Sequence, residues 1–146
     1  MKVVVDTNIV FSALLNPSGT IGELIVNPIE GIELYSSSFM RVELFKHHKK
    51  ISKISGLTIE EIEGLTYLIT ENIHFISEDQ IPEEIWKESE IILSQIDTKD
   101  TPFVALAKYL DSKLWTGDKK LIKGINTTEF IACMSTTDML LLRKEK

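Results

Sequence analysis

The chain has 146 residues, 43% of them apolar and 26% charged, which is the balance of one soluble globular domain with room for a core. Its apolar runs, Ile9 to Leu15 and Met139 to Leu142, fall far short of the roughly 20 residues a membrane-spanning helix needs, and the break at Asp6 leaves no signal-like segment. The expected setting is the cytoplasm, away from membranes. A net charge of −6 argues against holding nucleic acid by bulk attraction to phosphate, and the lone Cys133 offers no internal disulfide, only a small buried apolar side chain.

In chain order, Lys2 to Val5 is a β-branched run without alternation, as suits a strand covered on both faces. A turn at Asp6 leads to a short helix over Ile9 to Leu15. A loop, Asn16 to Thr20, then opens an apolar-periodic helix through Ile21, Leu24 and Ile25, which Pro28 and Gly31 close. "IELYSS" (Ile32 to Ser37) reads as a second strand. Ser36 to Ser38 supply capping oxygens for a long helix from Phe39 to Ser52, on whose surface His47 and His48 are placed in solvent.

Thr58 and Glu61 have capping-box spacing for a helix to about Glu71. Ile73 to Ser77 is a short strand, and Pro82 starts a helix through Ile85, Trp86, Ile92 and Leu93. Thr101-Pro102 starts another, with Phe103, Leu106, Ala107 and Leu110 as its buried stripe. "KLWTGD" (Lys113 to Asp118) is a strand ending in a turn, and "EFIACM" (Glu129 to Met134) a further strand. Ser135 with Asp138 caps a last helix. Leu14, Leu24, Ile25, Leu65 and Leu68 are assigned to core packing, with a partner-binding groove as the alternative. The alternation of helix and strand favours a layered α/β fold with a mainly parallel sheet.

In such sheets ligands bind beyond the carboxyl ends of the strands, and acids fall there. Asp6 ends the first strand, Asp118 follows "KLWTG", and Asp100 stands at the entrance to the Thr101-Pro102 helix. Glu43 lies on the helix after the second strand, between Val42 and Leu44. Two carboxylates about 4 Å apart repel by roughly 4 kcal/mol at an effective dielectric near 20, and a hard divalent cation relieves this. Mg2+ or Mn2+ prefers such oxygen ligands and can activate water against a phosphodiester. Each acid could also do no more than close a turn or cap a helix. Asp97 is open between joining the group and capping the loop.

Charge is unevenly spread. Arg41 to Lys53 carries five Arg or Lys and two His against Glu43 alone, while Glu60 to Asp100 carries twelve acids against Lys87 and Lys99. Lys46, Lys49, Lys50 and Lys53, with Lys119, Lys120 and Lys123 after Asp118, form a positive strip suited to a phosphate backbone.

"VVVDTNIVFSALL", "RVELFKH", "DTKDTPFVALA" and "LWTGDKKL", in this order and spacing, resemble the sequence blocks of PIN-domain ribonucleases, which include toxins of toxin–antitoxin pairs. The resemblance spans nearly the whole chain and implies a single PIN-like nuclease domain over residues 1–146, a three-layer α/β/α sandwich with a central, mainly parallel sheet. It implies Mg2+- or Mn2+-dependent cleavage of RNA, with Asp6, Glu43, Asp100 and Asp118 as catalytic metal ligands. Asn8 and Thr116 would orient them. It further implies a small cognate antitoxin as partner, with a homodimer as a compatible assembly. Two other readings stand beside it: an α/β phosphatase or phospho-acceptor domain using Asp6, and a non-catalytic RNA- or protein-binding module.

Overall fold

Three consecutive valines, Val3, Val4 and Val5, have no exposed surface. A strand buried on both faces needs helices above and below it, and the computed structural model, which describes residues 1–145, supplies them. Five parallel strands run in the order β3-β2-β1-β4-β5: β1 (Lys2–Val5), β2 (Glu33–Ser37), β3 (Ile73–Ile76), β4 (Lys113–Trp115) and β5 (Cys133–Met134). The chain winds outward from β1 to β3, then crosses back to lay β4 on the other side of β1. That reversal opens a crevice between the carboxyl ends of β1 and β4.

Eight helices complete an α/β/α sandwich. On the way out lie α1 (Thr7–Leu15), α2 (Thr20–Val26), α3 (Phe39–Ser55) and α4 (Ile59–Thr70), which pack on one another. On the way back come α5 (Glu83–Leu93), α6 (Thr101–Tyr109) and α7 (Lys119–Thr128), followed by α8 (Thr136–Glu145). α6 lies against β1, β2 and β4, and every residue from Thr101 to Ala107 is buried, so it is a core helix rather than a surface helix with one stripe. No single described helix is long and apolar enough to cross a membrane; α1 and α2, apolar as a pair, bend by 113° at their junction.

The local signals that set these elements are visible in their hydrogen bonds. Thr58 Oγ1 accepts from the Glu61 amide at 3.1 Å and Glu61 Oε1 from the Thr58 amide at 3.2 Å, the reciprocal capping box. Ser135 and Asp138 exchange amide bonds of the same kind at the start of α8. Of the serine cluster, only Ser37 serves α3, accepting from the Phe39 amide at 3.1 Å, while Ser36 donates to the Val5 carbonyl at 2.6 Å and ties β2 to β1.

Several expectations need correction. The segment after Asp118 forms a ten-residue helix, α7, which the pattern "KKLIKGINTT" hides with a mid-helix glycine and β-branched threonines of low helix propensity. Asp118 caps it, and Leu121 and Ile125 bury its inner face. At Gly124 a Cβ would stand 2.7 Å from Ile96 Cδ1, so a larger residue there would have to push the tip of that side chain aside. The strand expected over Glu129 to Met134 shrinks to Cys133–Met134, since Glu129 turns left-handed (φ 59°) to end α7 and the chain rejoins the sheet at Ala132, whose carbonyl accepts from the Leu114 amide at 3.0 Å. His48 is buried, not solvated: it shares the inner face of α3 with Met40, Leu44 and Ile51, and Phe45 lies beside its ring at 5.7 Å. Leu68 is 57% exposed, whereas Leu14, Leu24 and Ile25 are in the core.

Candidate active site

Two acids enter the β1/β4 crevice as helix caps. Asp6 follows β1 and caps α1, its Oδ1 accepting from the Ile9 amide at 3.1 Å. Asp118 follows β4 and caps α7, its Oδ1 accepting from the Lys120 and Leu121 amides at 3.0 and 3.2 Å. Thr116, fully buried between them, bonds to the Asp6 carboxylate and accepts from the Asp118 amide at 3.1 Å. One hydroxyl thus reaches the Asp6 carboxylate and the Asp118 backbone, while the helix N-termini behind both acids favour negative charge.

Asp100 occupies the same kind of position before α6 but makes no capping bond. Its Oδ2 is buried and has no hydrogen-bond partner, which is costly for a carboxylate oxygen unless a further group comes to it. Asp97, three residues earlier, caps the 3-10 turn Thr98–Asp100 by accepting from the Lys99 amide at 3.0 Å. Glu43, half-buried on α3, accepts from Thr7 Oγ1 at 2.6 Å.

Protonation reports how these groups feel one another. Burial pushes the Asp6 carboxyl up to about 6 against the bonds from Thr116, Ile9 and the Asn8 backbone that favour its charge, with Asp118 adding a smaller upward push. Asp100 rises to about 7, first through burial and then through the charges of Asp97, Asp6, Asp118 and Glu43. All five acids therefore share one electrostatic neighbourhood centred on Asp100. Asp97 is both a cap and a member of this group. Burial also pushes the Cys133 thiol up to about 12, so it stays protonated and inert.

The carboxylates surround Asp100 without closing on it: among the described residues no three Asp, Glu, His or Cys side chains form a ready-made metal cage. The chemistry of the set nonetheless fits a hard divalent cation. It is all oxygen, it is mutually repelling, and it contains an unpartnered buried carboxylate oxygen.

The side chain of Asn8 is exposed; it is the backbone of Asn8 that bonds Asp6. Lys46, Lys49, Lys50 and Lys53 on α3 and Lys119, Lys120 and Lys123 on α7 are exposed, and among the described residues none has an acid within ion-pair reach. The sequence gives no sign of Thr7 as the partner of Glu43. The contact exists only because α1 packs on α3, and a threonine in a helix's first turn carries no mark of it.

Fold and site together define an α/β protein with an acid-lined crevice at the switch point of its sheet. Within that class the chain belongs to the PIN-domain family, whose profile matches residues 4–143. No curated protein matches it in sequence. Among solved structures it is similar to VapBC2 from Rickettsia felis, bound to a DNA fragment from its promoter, with 17% identity, a TM-score of 0.71, and 92% of this chain and 98% of that one covered. VapBC-1 from nontypeable Haemophilus influenzae gives 19% identity and a TM-score of 0.69 over 94% and 99% of the chains. FitAcB from Neisseria gonorrhoeae gives 18% and 0.61 over 92% and 97%. At these identities the likeness is one of fold.

Proposed function

We propose that this PIN-domain protein is a metal-dependent endoribonuclease and the toxin of a toxin–antitoxin pair. PIN domains are in general nucleases. The observation that carries the reading is the unpartnered Asp100 Oδ2 amid the charges of Asp97, Asp6, Asp118 and Glu43. Asp6, Glu43, Asp100 and Asp118 would hold Mg2+ or Mn2+, which supplies charge neutralisation at phosphate and a water made more acidic. The chain's own groups do the positioning: Thr116 aims Asp6, Thr7 holds Glu43, and the cap bonds of α7 fix Asp118.

The unpaired lysines of α3 and α7 would grip the RNA backbone, offsetting a chain that is negative overall. Asp6 is a poor phospho-acceptor, being 3% exposed and bonded to Thr116 and two backbone amides. As to partners, the solved structures of similar fold include a toxin–antitoxin complex from Klebsiella pneumoniae, and the exposed Phe45, Tyr67 and Leu68 of α3 and α4 would receive a second chain.

The test is cleavage of a long RNA with Mn2+. Wild type should cut and stop on addition of chelator, and Asp100→Asn should lose at least about a hundredfold in rate, as removal of a key electrostatic group does. Cutting that persists in chelator, or in Asp100→Asn, overturns the reading.

A further inference from the structure

Beside Asp100 lies an open surface cavity of about 370 Å3, at the small end of the roughly 300–1,000 Å3 of ligand pockets. Thr98, Lys99 and Thr101, which flank Asp100 in the chain, form one wall. Phe39, at the start of α3, and Trp86, on α5, contribute two aromatic rings, both half-buried. Glu78 and Glu90 add carboxylates. Burial and the neighbouring Asp79 hold the Glu78 carboxyl above its usual range, so it gains from a hydrogen-bond donor brought to it. Both rings also pack against the core, and the nuclease reading above assigns the opening no part.

Its lining is selective. The carboxylates of Glu78 and Glu90 disfavour phosphate beside them, so the backbone of a bound strand is better placed at Lys99. Aromatic faces offer stacking to any base, worth roughly 1–3 kcal/mol each in single-strand binding. A carboxylate accepts two hydrogen bonds side by side, and of the four RNA bases only guanine presents adjacent donors, N1–H and N2–H, on its Watson–Crick edge. Lys99, exposed at the rim next to Asp100, can hold the adjoining phosphate.

We propose that this cavity takes one unpaired guanine of the RNA, stacked against Trp86 or Phe39 and read by Glu78, and so sets where the strand is cut. The proposal rests on the ribonuclease reading for its substrate, but the binding step can be measured without cleavage.

Trp115 is fully buried and Trp86 is half-buried, so quenching of tryptophan emission by a nucleotide reports Trp86. The full chain, in chelator, is titrated with GMP, IMP, AMP and UMP. GMP should quench saturably, IMP more weakly for want of N2–H, and AMP about tenfold more weakly than GMP, the discrimination expected of one bidentate contact. Glu78→Gln should remove the preference, and Trp86→Leu the signal. No saturable quenching, or equal quenching by all four, overturns the proposal. A tetra-arginine peptide that quenches at lower concentration than GMP overturns it in favour of a basic protein tail.

A cleavage map separates the two readings. If wild type cuts RNA and Glu78→Gln leaves the bases at the cut unchanged, the guanine pocket fails and the nuclease stands. If GMP binds as expected and no RNA is cut, the nuclease fails and the pocket stands.

Discussion

Ionising Asp6 in the folded chain means holding a charge where only 3% of the residue meets water. Its carboxyl titrates at about 6 in the fold against about 3.9 in an unfolded chain, a difference worth about 3 kcal/mol. Asp100, at about 7, shifts the same way. The folded state therefore binds more protons than the unfolded one, so the stability these groups give is full below about pH 4 and is lost as pH rises through about 6 and 7. In chelator, thermal melts should show the Tm falling between about pH 5 and 7.5, with a shallower fall in Asp6→Asn. Near pH 7.5 that variant should melt at or above wild type and lose the stabilisation that Mn2+ gives by binding only the folded chain. A Mn2+ gain equal to that of wild type would remove Asp6 from the ion's ligands. At this scale Asp6, Asp100 and Asp118 are legible as acids at strand ends and helix starts. The missing cap bond of Asp100 is not, because it depends on how the 3-10 turn Thr98–Asp100 aims the side chain.

Elements were readable wherever one residue type does one local job. The capping box at Thr58 and Glu61, Pro82 before α5 and the Ser135–Asp138 exchange all sit where sequence spacing puts them. α7 was not readable, because its helix is sustained by the Asp118 cap and by burying Leu121 and Ile125, a tertiary cause. Two glycines contrast the same forces. At Gly22 a Cβ would run into the Pro17 carbonyl, which is backbone and cannot swing away, whereas at Gly64 on α4 it would meet nothing. Gly22→Ala should therefore cost about 1–3 kcal/mol by overpacking the α1–α2 corner. Gly64→Ala should gain about 0.5–1 kcal/mol from the better helix former. Denaturant unfolding of the two variants checks both signs.

Over the whole molecule, the order of strands and helices in the sequence already implied a parallel layered sheet, and the β1/β4 crevice follows from the winding alone. What winding cannot give is where the charges end up: the lysines of α3 and α7 become a surface feature only once those helices are packed. A chain of net charge −6 that holds RNA must do so through a local strip, and the number of lysines engaged is measurable. Each phosphate neutralised on a single strand adds about −0.7 to the slope of log affinity against log salt. In chelator, where nothing is cut, Lys49→Gln with Lys50→Gln should therefore flatten that slope by about 1.4 while weakening binding to all sequences alike. Lys87→Gln is the control, since Lys87 is paired with Glu83 at 3.1 Å on α5 and should leave the slope as in wild type. If the double variant keeps the wild-type slope, the RNA does not run along α3, and its path past Asp100 has to follow α7 instead.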